Sequence, residues 1–270
     1  MKILNNGMRI CLLSSGSGGN TTYLETPQHR LLLDAGLSGV KIERLLRSIH
    51  RDPRTIDMLL VSHEHSDHSK GVGILARKYP RINVYANQKT WAAMAPRIGP
   101  VDKSQRHVFP EGTTRLFGDL QIRSFGTSHD AAEPQYYMFI HHRKRFAMIT
   151  DAGYVSYGIQ QVINNCNAFA IESNYDNEML LNGPYSWPLK HRILSDVGHL
   201  SNNECGEILA NVIGNRTRYV FLAHRSHNNN TVELAHRSVA NILKSYGLPV
   251  GHNFKIYDTD VESPTPLITL

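Results

Sequence analysis

Four side chains of metal-ligand type stand within six residues in Val61-Ser62-His63-Glu64-His65-Ser66-Asp67-His68, directly after the apolar run Met58-Leu59-Leu60-Val61. No other feature constrains the fold and chemistry of the chain as much. An extended segment alternates its side chains, so His63 and His65 can face one ion, while Asp67 and His68 lie past the bend and can face a second. Four such ligands converge on so small a volume only if two metal ions share it. The bland alternative is a polar surface run before a helix. With 15 histidines in 270 residues, a His-x-His-x-Asp-His match is expected about 0.002 times by chance, so the metal reading prevails.

Composition bounds the rest. Hydrophobic residues make up 41% and charged residues 19% of the chain, with mean hydropathy −0.33. These are ordinary globular values, which exclude disorder, coiled coil and collagen. No apolar run approaches the roughly 18 residues of a membrane span. The opening MKILNNGMRICLLSSGSGG has too short an apolar run for a secretory signal, so a cytoplasmic protein with no membrane partner is expected. Cys11, Cys166 and Cys205 are odd in number and far apart, which suits reduced thiols and neither a disulfide framework nor a thiolate zinc site. The net charge of +6 has the right sign for a polyanion but is too mild to argue nucleic-acid binding alone.

Short β-type runs alternate with helical patterns. Strands are expected at Met8–Leu13, Thr21–Glu25, Arg30–Asp34, Met58–Ser62, Asn83–Ala86, Leu120–Phe125, Tyr136–Ile140, Phe146–Thr150, Ala168–Glu172 and Arg218–Ala223. Helices are expected after Ser38, with Val40, Ile42, Leu45, Leu46 and Ile49 on one face, and near Gly71, Asn87, Ser156, Ser201 and Thr231. Ser201 and Glu204 have capping-box spacing. With no repeat or linker, residues 1–270 read as one domain. Two strand groups with helices between them suit a layered α/β sandwich.

The His-x-His-x-Asp-His segment resembles the signature of the metallo-β-lactamase fold, an αββα sandwich with its active site at one edge between two sheets. The resemblance implies further residues in order. Asp34, ending Leu31-Leu32-Leu33-Asp34, is similar to the family's early aspartate, a support for the histidine loop. His129 in Gly126-Thr127-Ser128-His129-Asp130 matches the third histidine of the first metal site, and Asp151 in Ile149-Thr150-Asp151-Ala152-Gly153 the aspartate bridging both ions. His224, ending Tyr219-Val220-Phe221-Leu222-Ala223-His224, matches the last ligand. The implied cofactors are two divalent metal ions held by His63, His65, Asp67, His68, His129, Asp151 and His224, with Asp67 also counted among the catalytic residues. Such donors suit Zn²⁺, Mn²⁺ and Fe²⁺ alike.

A dinuclear site lowers the pKa of a bridging water and suits phosphodiester, ester, thioester or lactam hydrolysis. Glu172-Ser173-Asn174-Tyr175 followed by Ser195-Asp196-Val197-Gly198-His199-Leu200-Ser201 resembles the phosphodiesterase branch, which implies His199 as general acid or phosphate clamp, supported by Glu172. The bland reading has His199 merely capping the next helix. Leu13-Ser14-Ser15-Gly16-Ser17-Gly18-Gly19-Asn20 with Gly198-His199-Leu200-Ser201-Asn202 resembles the YycJ/WalJ family, and so implies a 5′-to-3′ exonuclease acting on DNA in preference to RNA through a metal-bridging hydroxide. The glycines are read as a tight turn and not a Walker loop. The segment His224-Arg225-Ser226-His227-Asn228-Asn229-Asn230 leaves His224 or His227 as last ligand, with strand-end placement favouring His224.

For a nucleic-acid partner, Arg143, Lys144 and Arg145 at a hairpin tip and Lys190 are candidate contacts, with Arg192 and Arg225 also available to a polyanion, although tip charges are commonly just solvated. Tyr185, Trp187 and Pro188 can stack a terminal base or pack a lid. The chain has no room for a β-CASP insert, which leaves substrate to dock on the bare domain or on a homodimer. The alternative function is hydrolysis of small phosphodiesters or other small esters by the same metals. A di-iron redox protein is disfavoured by the lack of an Fe–S cysteine set.

Overall fold

Alternation of side chains along the strands sorts the apolar residues into three layers. In the computed structural model, which describes residues 7–270, Ile10 and Leu12 point into one layer while Cys11 and Leu13 point into another. The first six residues, part of the amino-terminal segment read above as no secretory signal, lie outside the described residues. Leu31 and Leu33 against Leu32, and Met58 and Leu60 against Leu59, repeat the division. A strand apolar on both faces is buried on both faces, so each sheet needs a cover on either side.

One sheet contains β1 (Arg9–Ser14), β2 (Thr21–Glu25), β3 (Arg30–Leu33), β4 (Met58–Leu60), β5 (Asn83–Ala86) and β6 (Arg106–Val108). The other contains β7 (Thr114–Phe117), β8 (Leu120–Gly126), β9 (Gln135–His141), β10 (Lys144–Ile149), β11 (Ala168–Glu172), β12 (Tyr219–Ala223) and β13 (Lys255–Asp258). A last short strand, β14 (Ile268–Thr269), returns to pair with β1. Strand orders among the described residues are β14-β1-β2-β3-β4-β5-β6 and β13-β12-β11-β10-β9-β8-β7. The middle layer, with Phe109, Tyr137, Phe139, Phe146 and Phe221, joins the two sheets.

Helices cover the outer faces. Against the first sheet lie α1 (Gly39–Ser48), α3 (Val72–Lys78) and α4 (Gln88–Ile98), with the one-turn α2 (Ser66–Ser69) before α3. Against the second lie α5 (Tyr157–Ile163), α8 (Asn202–Val212) and α9 (Val232–Ser245), while α6 (Asn177–Asn182) and α7 (Trp187–Leu194) pack beside them as a separate small unit around Leu180 and Ile193. The architecture is the αββα sandwich that the metal-ligand segment implied. Ser38, Asn87, Ser156, Ser201 and Thr231 each cap a helix through their side chains, and Ser201 with Glu204 completes the capping box.

Two expectations change. Val40 is 76% exposed and not on the buried face of α1. It precedes Ile42 by two residues, about 200° round a helix, so both cannot face the core. The short β6, β7, β13 and β14, and the α6–α7 pair, carry patterns too brief or too polar to read from sequence. Among the described residues no helix is long and apolar enough to cross a membrane.

Candidate metal centre

Parallel pairing brings the carboxyl ends of β3, β4, β10, β11 and β12 to one edge, joined by the end of β8. Open α/β sheets bind ligands at such ends. Asp34 follows β3, His63 follows β4, His129 follows β8, Asp151 follows β10, Glu172 ends β11 and His224 follows β12. Asp34, Asp151 and His224 adopt left-handed backbone angles, φ 62°, 59° and 52°. That conformation is uncommon outside glycine, and it turns the chain sharply enough to swing each side chain over the edge.

His63, His65 and His129 offer ring nitrogens that lie within 4.8 Å of one another, as do the donors of His63, His68 and Asp151, those of Asp67, His68 and His224, and those of Asp151, Glu172, His199 and His224. His129 Nε2 is 3.3 Å from His65 Nδ1; His224 Nε2 is 3.3 Å from Asp67 Oδ2 and 3.5 Å from Asp151 Oδ1; His68 Nε2 is 3.5 Å from Asp67 Oδ2 and 3.0 Å from Asp151 Oδ2. Ligands at about 2.05 Å from a tetrahedral ion stand about 3.4 Å apart, which is the spacing seen. Buried His63 Nε2 has no hydrogen-bond partner. An orphaned buried polar atom is costly unless something else binds it. Divalent metal ions fit these residues.

The surrounding contacts aim the ligands. Asp34 accepts from Ser62 N at 2.7 Å and Ser62 Oγ at 2.8 Å, and its Oδ2 lies 2.8 Å from His68 Nδ1, leaving His68 Nε2 toward the cluster. His129 Nδ1 is 3.1 Å from the carbonyls of Val197 and Gly198, which directs Nε2 inward. Glu172, fully buried, accepts from His224 Nδ1 at 2.7 Å and His199 Nδ1 at 2.9 Å, and its second oxygen accepts from the amides of Ala152 and Leu200. Metal-binding histidines are commonly oriented by such outer partners.

Charge tells the same story. Burial would raise the carboxyls of Asp67 and Asp151, but the charges of His68 and His224 outweigh it and hold both below the carboxylate range. Burial would also raise Glu172, yet His199 and His224 pull it to about 2. Burial lowers His63 well below its ordinary value and lowers His129 too, keeping both in the neutral form that ligates. For His224 burial is overcome by Asp151, Asp67 and Glu172, which raise it to about 10; His68 is raised well above its usual value by Asp151, Asp34 and Asp67 despite burial. Ionised carboxylates in this pocket demand positive charge, supplied by protons on His68 and His224 or by bound cations.

The glycines near the site have a steric reason. A side chain at Gly36 would overlap the Asp67 carbonyl, so the strand-end turn and the histidine loop touch only because Gly36 lacks one. Gly16 and Gly19, at φ 151° and 148°, make the tight turn that delivers Asn20, whose Nδ2 lies 3.0 Å from His68 Nε2.

Several site residues are not singled out from sequence: Asn20, Ser62 and Asn174, whose amide donates to His224 O at 2.7 Å. Ser62 and Asn174 each neighbour a recognised position, which was the available signal. A cavity of about 220 Å³ opens over the cluster, lined among others by Ser17, His65, Asp67, Tyr185, Arg192 and His199. Larger hollows of about 530 and 520 Å³ lie around Arg51 and Gln105 and contain none of the ligand clusters. His227 is exposed beside Asn228 and outside the cluster that contains His224.

Of the basic residues available to a polyanion, Arg192 lines this cavity, whereas Arg143, Lys144, Arg145 and Lys190 are not brought to it. Arg143 and Lys144 sit at the β9–β10 tip, and Lys144 to Asp151 spans seven residues of nearly extended chain, roughly 20 Å from the site. Arg145 instead donates to the carbonyls of Val162 and Asn164. Lys190 is only 6% exposed, and its ammonium donates to the Leu181 carbonyl at 2.7 Å.

Comparison with known proteins places this geometry. Residues 29–224 match a beta-lactamase superfamily domain. The chain is 50% identical over 263 residues to the exodeoxyribonuclease WalJ of Streptococcus pneumoniae serotype 2, covering 97% of each chain. It is 47% identical over 261 residues to the exodeoxyribonuclease YycJ of Bacillus anthracis, covering 97% of this chain and 98% of that one. Its fold matches the metallo-beta-lactamase fold protein YhfI from Bacillus subtilis with a TM-score of 0.72 at 12% identity, over 96% of this chain and 99% of that one.

Proposed function

The chain belongs to the beta-lactamase superfamily and, within it, to the family that includes WalJ and YycJ, and from that membership we propose that it is a metal-dependent phosphodiesterase removing nucleotides stepwise from the 5′ end of DNA. The observation that carries the reading is the pair of His199 Nδ1 and Glu172 Oε1 at 2.9 Å, with His199 lining the cavity over the candidate metal cluster.

In this reading His63, His65 and His129 would hold one divalent ion and Asp67, His68 and His224 a second, with Asp151 shared between them. Zn²⁺ and Mn²⁺ suit these donors, with Fe²⁺ also accommodated. Bound metals would supply a water of lowered pKa and offset charge on the phosphate. The chain's own residues do the rest. Ionised Glu172 can only accept, so His199 carries its proton on Nδ1 toward Glu172. As general acid the ring is therefore the imidazolium, with a second proton on Nε2 that passes to the departing 3′ oxygen and leaves the neutral imidazole still bonded to Glu172 through Nδ1. Glu172 steadies the resulting charge changes on the imidazole, as a buried carboxylate does for a catalytic histidine elsewhere.

The same reading treats the chain as one catalytic unit, supported by the apolar layer shared between the sheets. It places the protein in the cytoplasm, where the three buried thiols stay reduced. End-labelled DNA and RNA incubated with each metal in turn test it. Early release of labelled mononucleotides from a 5′-labelled duplex is the expected result. DNA left intact with every metal, alongside rapid cleavage of a small cyclic phosphate, would overturn it in favour of a small-phosphodiester hydrolase.

A further inference from the structure

Among the described residues Arg192 is the one lysine or arginine lining the cavity over the ligand cluster. It comes from α7, and Asp130 holds it through a two-point ion pair of Nε with Oδ2 and of Nη2 with Oδ1, the latter at 2.9 Å. Asp130 Oδ1 is in turn 3.5 Å from His129 Nε2. The guanidinium is therefore fixed one carboxylate away from the ligand cluster, while its side chain remains 46% exposed. A guanidinium aimed by a carboxylate and still open to solvent is suited to a second anion, and its fork matches a phosphate.

The wall that carries Arg192 also carries His199. His199 N donates to the Ile193 carbonyl at 3.0 Å, and Asp130 N donates to the Val197 carbonyl at 3.2 Å. His224, Ser226 and Ser17 line the cavity from other segments. If His199 protonates the departing 3′ oxygen, the nucleotide being released lies on this same wall. Its own 5′ phosphate is the anion within Arg192's reach.

We propose that Arg192, aimed by Asp130, binds the 5′-terminal phosphate of the DNA strand and so makes the enzyme select 5′-phosphorylated ends. The inference rests on the exonuclease reading above. It has a consequence in the chemistry. Water adds its oxygen to the first internal phosphorus, the bond from that phosphorus to the 3′ oxygen breaks, and the 3′ oxygen takes a proton. The phosphate thus stays on the shortened strand as a new 5′-terminal phosphate. Each cut after the first presents Arg192 with the group it binds, whatever the original end.

The test uses the metal-loaded protein and oligonucleotides that differ only in a 5′ phosphate or 5′ hydroxyl. Binding is read by fluorescence anisotropy on strands with a non-hydrolysable first linkage, and digestion is followed in time on ordinary strands. The wild type should bind the phosphorylated strand about tenfold or more tighter, as expected for a charge-assisted contact. It should digest the 5′-hydroxyl strand with a lag. In Arg192→Ala and Arg192→Gln, with metal content and circular dichroism preserved, both the preference and the lag should vanish, and Arg192→Lys should restore part of each. A wild type that binds both strands equally, or variants that keep the preference, would overturn the inference even if DNA is digested. Failure to digest any DNA would overturn the exonuclease reading instead, while the binding preference and its loss in the variants would still support the phosphate contact.

Discussion

The carboxylate of Glu172 meets the ring of His199 at 2.9 Å, Oε1 to Nδ1, inside a pocket that leaves Glu172 fully buried. The same oxygen receives His224 Nδ1 at 2.7 Å. One buried anion thus orients both His224 and His199, and the two ring centroids stand 5.4 Å apart.

His199→Ala should separate chemistry from metal binding. Turnover should fall by roughly 10² to 10⁴, the usual range for losing a general acid, with metal content unchanged by elemental analysis. Loss of an ion from this variant would mark His199 as a ligand and remove it from the proton-transfer role.

Glu172→Gln should affect both histidines at once. An amide offers one acceptor where two ring N–H groups and two backbone amides now converge on a carboxylate. Metal affinity or activity should drop about 10- to 100-fold, the range for outer-sphere partners. Competition titration with a chromophoric chelator measures the first and steady-state kinetics the second. Unchanged values for both would show that Glu172 is a packing group.

Close to two transition-metal ions per chain should be found in protein prepared without chelators, and Asp67→Ala should lose one. Removing the ions should lower the melting temperature, because a ligand bound only by the folded state stabilises it, by about 2.7 kcal/mol at a hundred times its dissociation constant. Calorimetry before and after chelation, with metal added back, checks this. Protein that binds no metal on addition would refute the site.

Arg143→Ala combined with Lys144→Ala should leave cleavage of a short oligonucleotide unchanged, since the β9–β10 tip lies at the far end of the strand that carries Asp151 to the site. Neutralising exposed tip charges also costs little stability, within about 0.5 kcal/mol. A fall in kcat/KM on a substrate of a few nucleotides would show that the strand wraps round to this end.

The amino-acid sequence by itself determined the elements and the candidate ligands that depend on near neighbours. Strand alternation around Leu31–Leu33 and Met58–Leu60, the helix caps at Ser38 and Ser201, and the six-residue spacing from His63 to His68 are local, so residue order carries them. Asp34, Asp151 and His224 were legible because each ends an apolar strand, though their convergence was expected only through a family resemblance. Tertiary structure alone decided the rest. Lys190 and Arg192 are two residues apart in one basic cluster, yet the packing of α7 buries the first against the Leu181 carbonyl and turns the second to the cavity beside Asp130. Asn20 reaches His68 across 48 residues of chain only because β2 and β3 bring the glycine turn against the histidine loop. The basic run at Arg143 does not show in the sequence which end of the sandwich it occupies; strand direction puts it at the end opposite the candidate ligands. The physical reason is common to all three. Which strand ends share an edge, and which helix face meets the sheet, are set by burial summed over the whole fold, and no short window of sequence contains that sum.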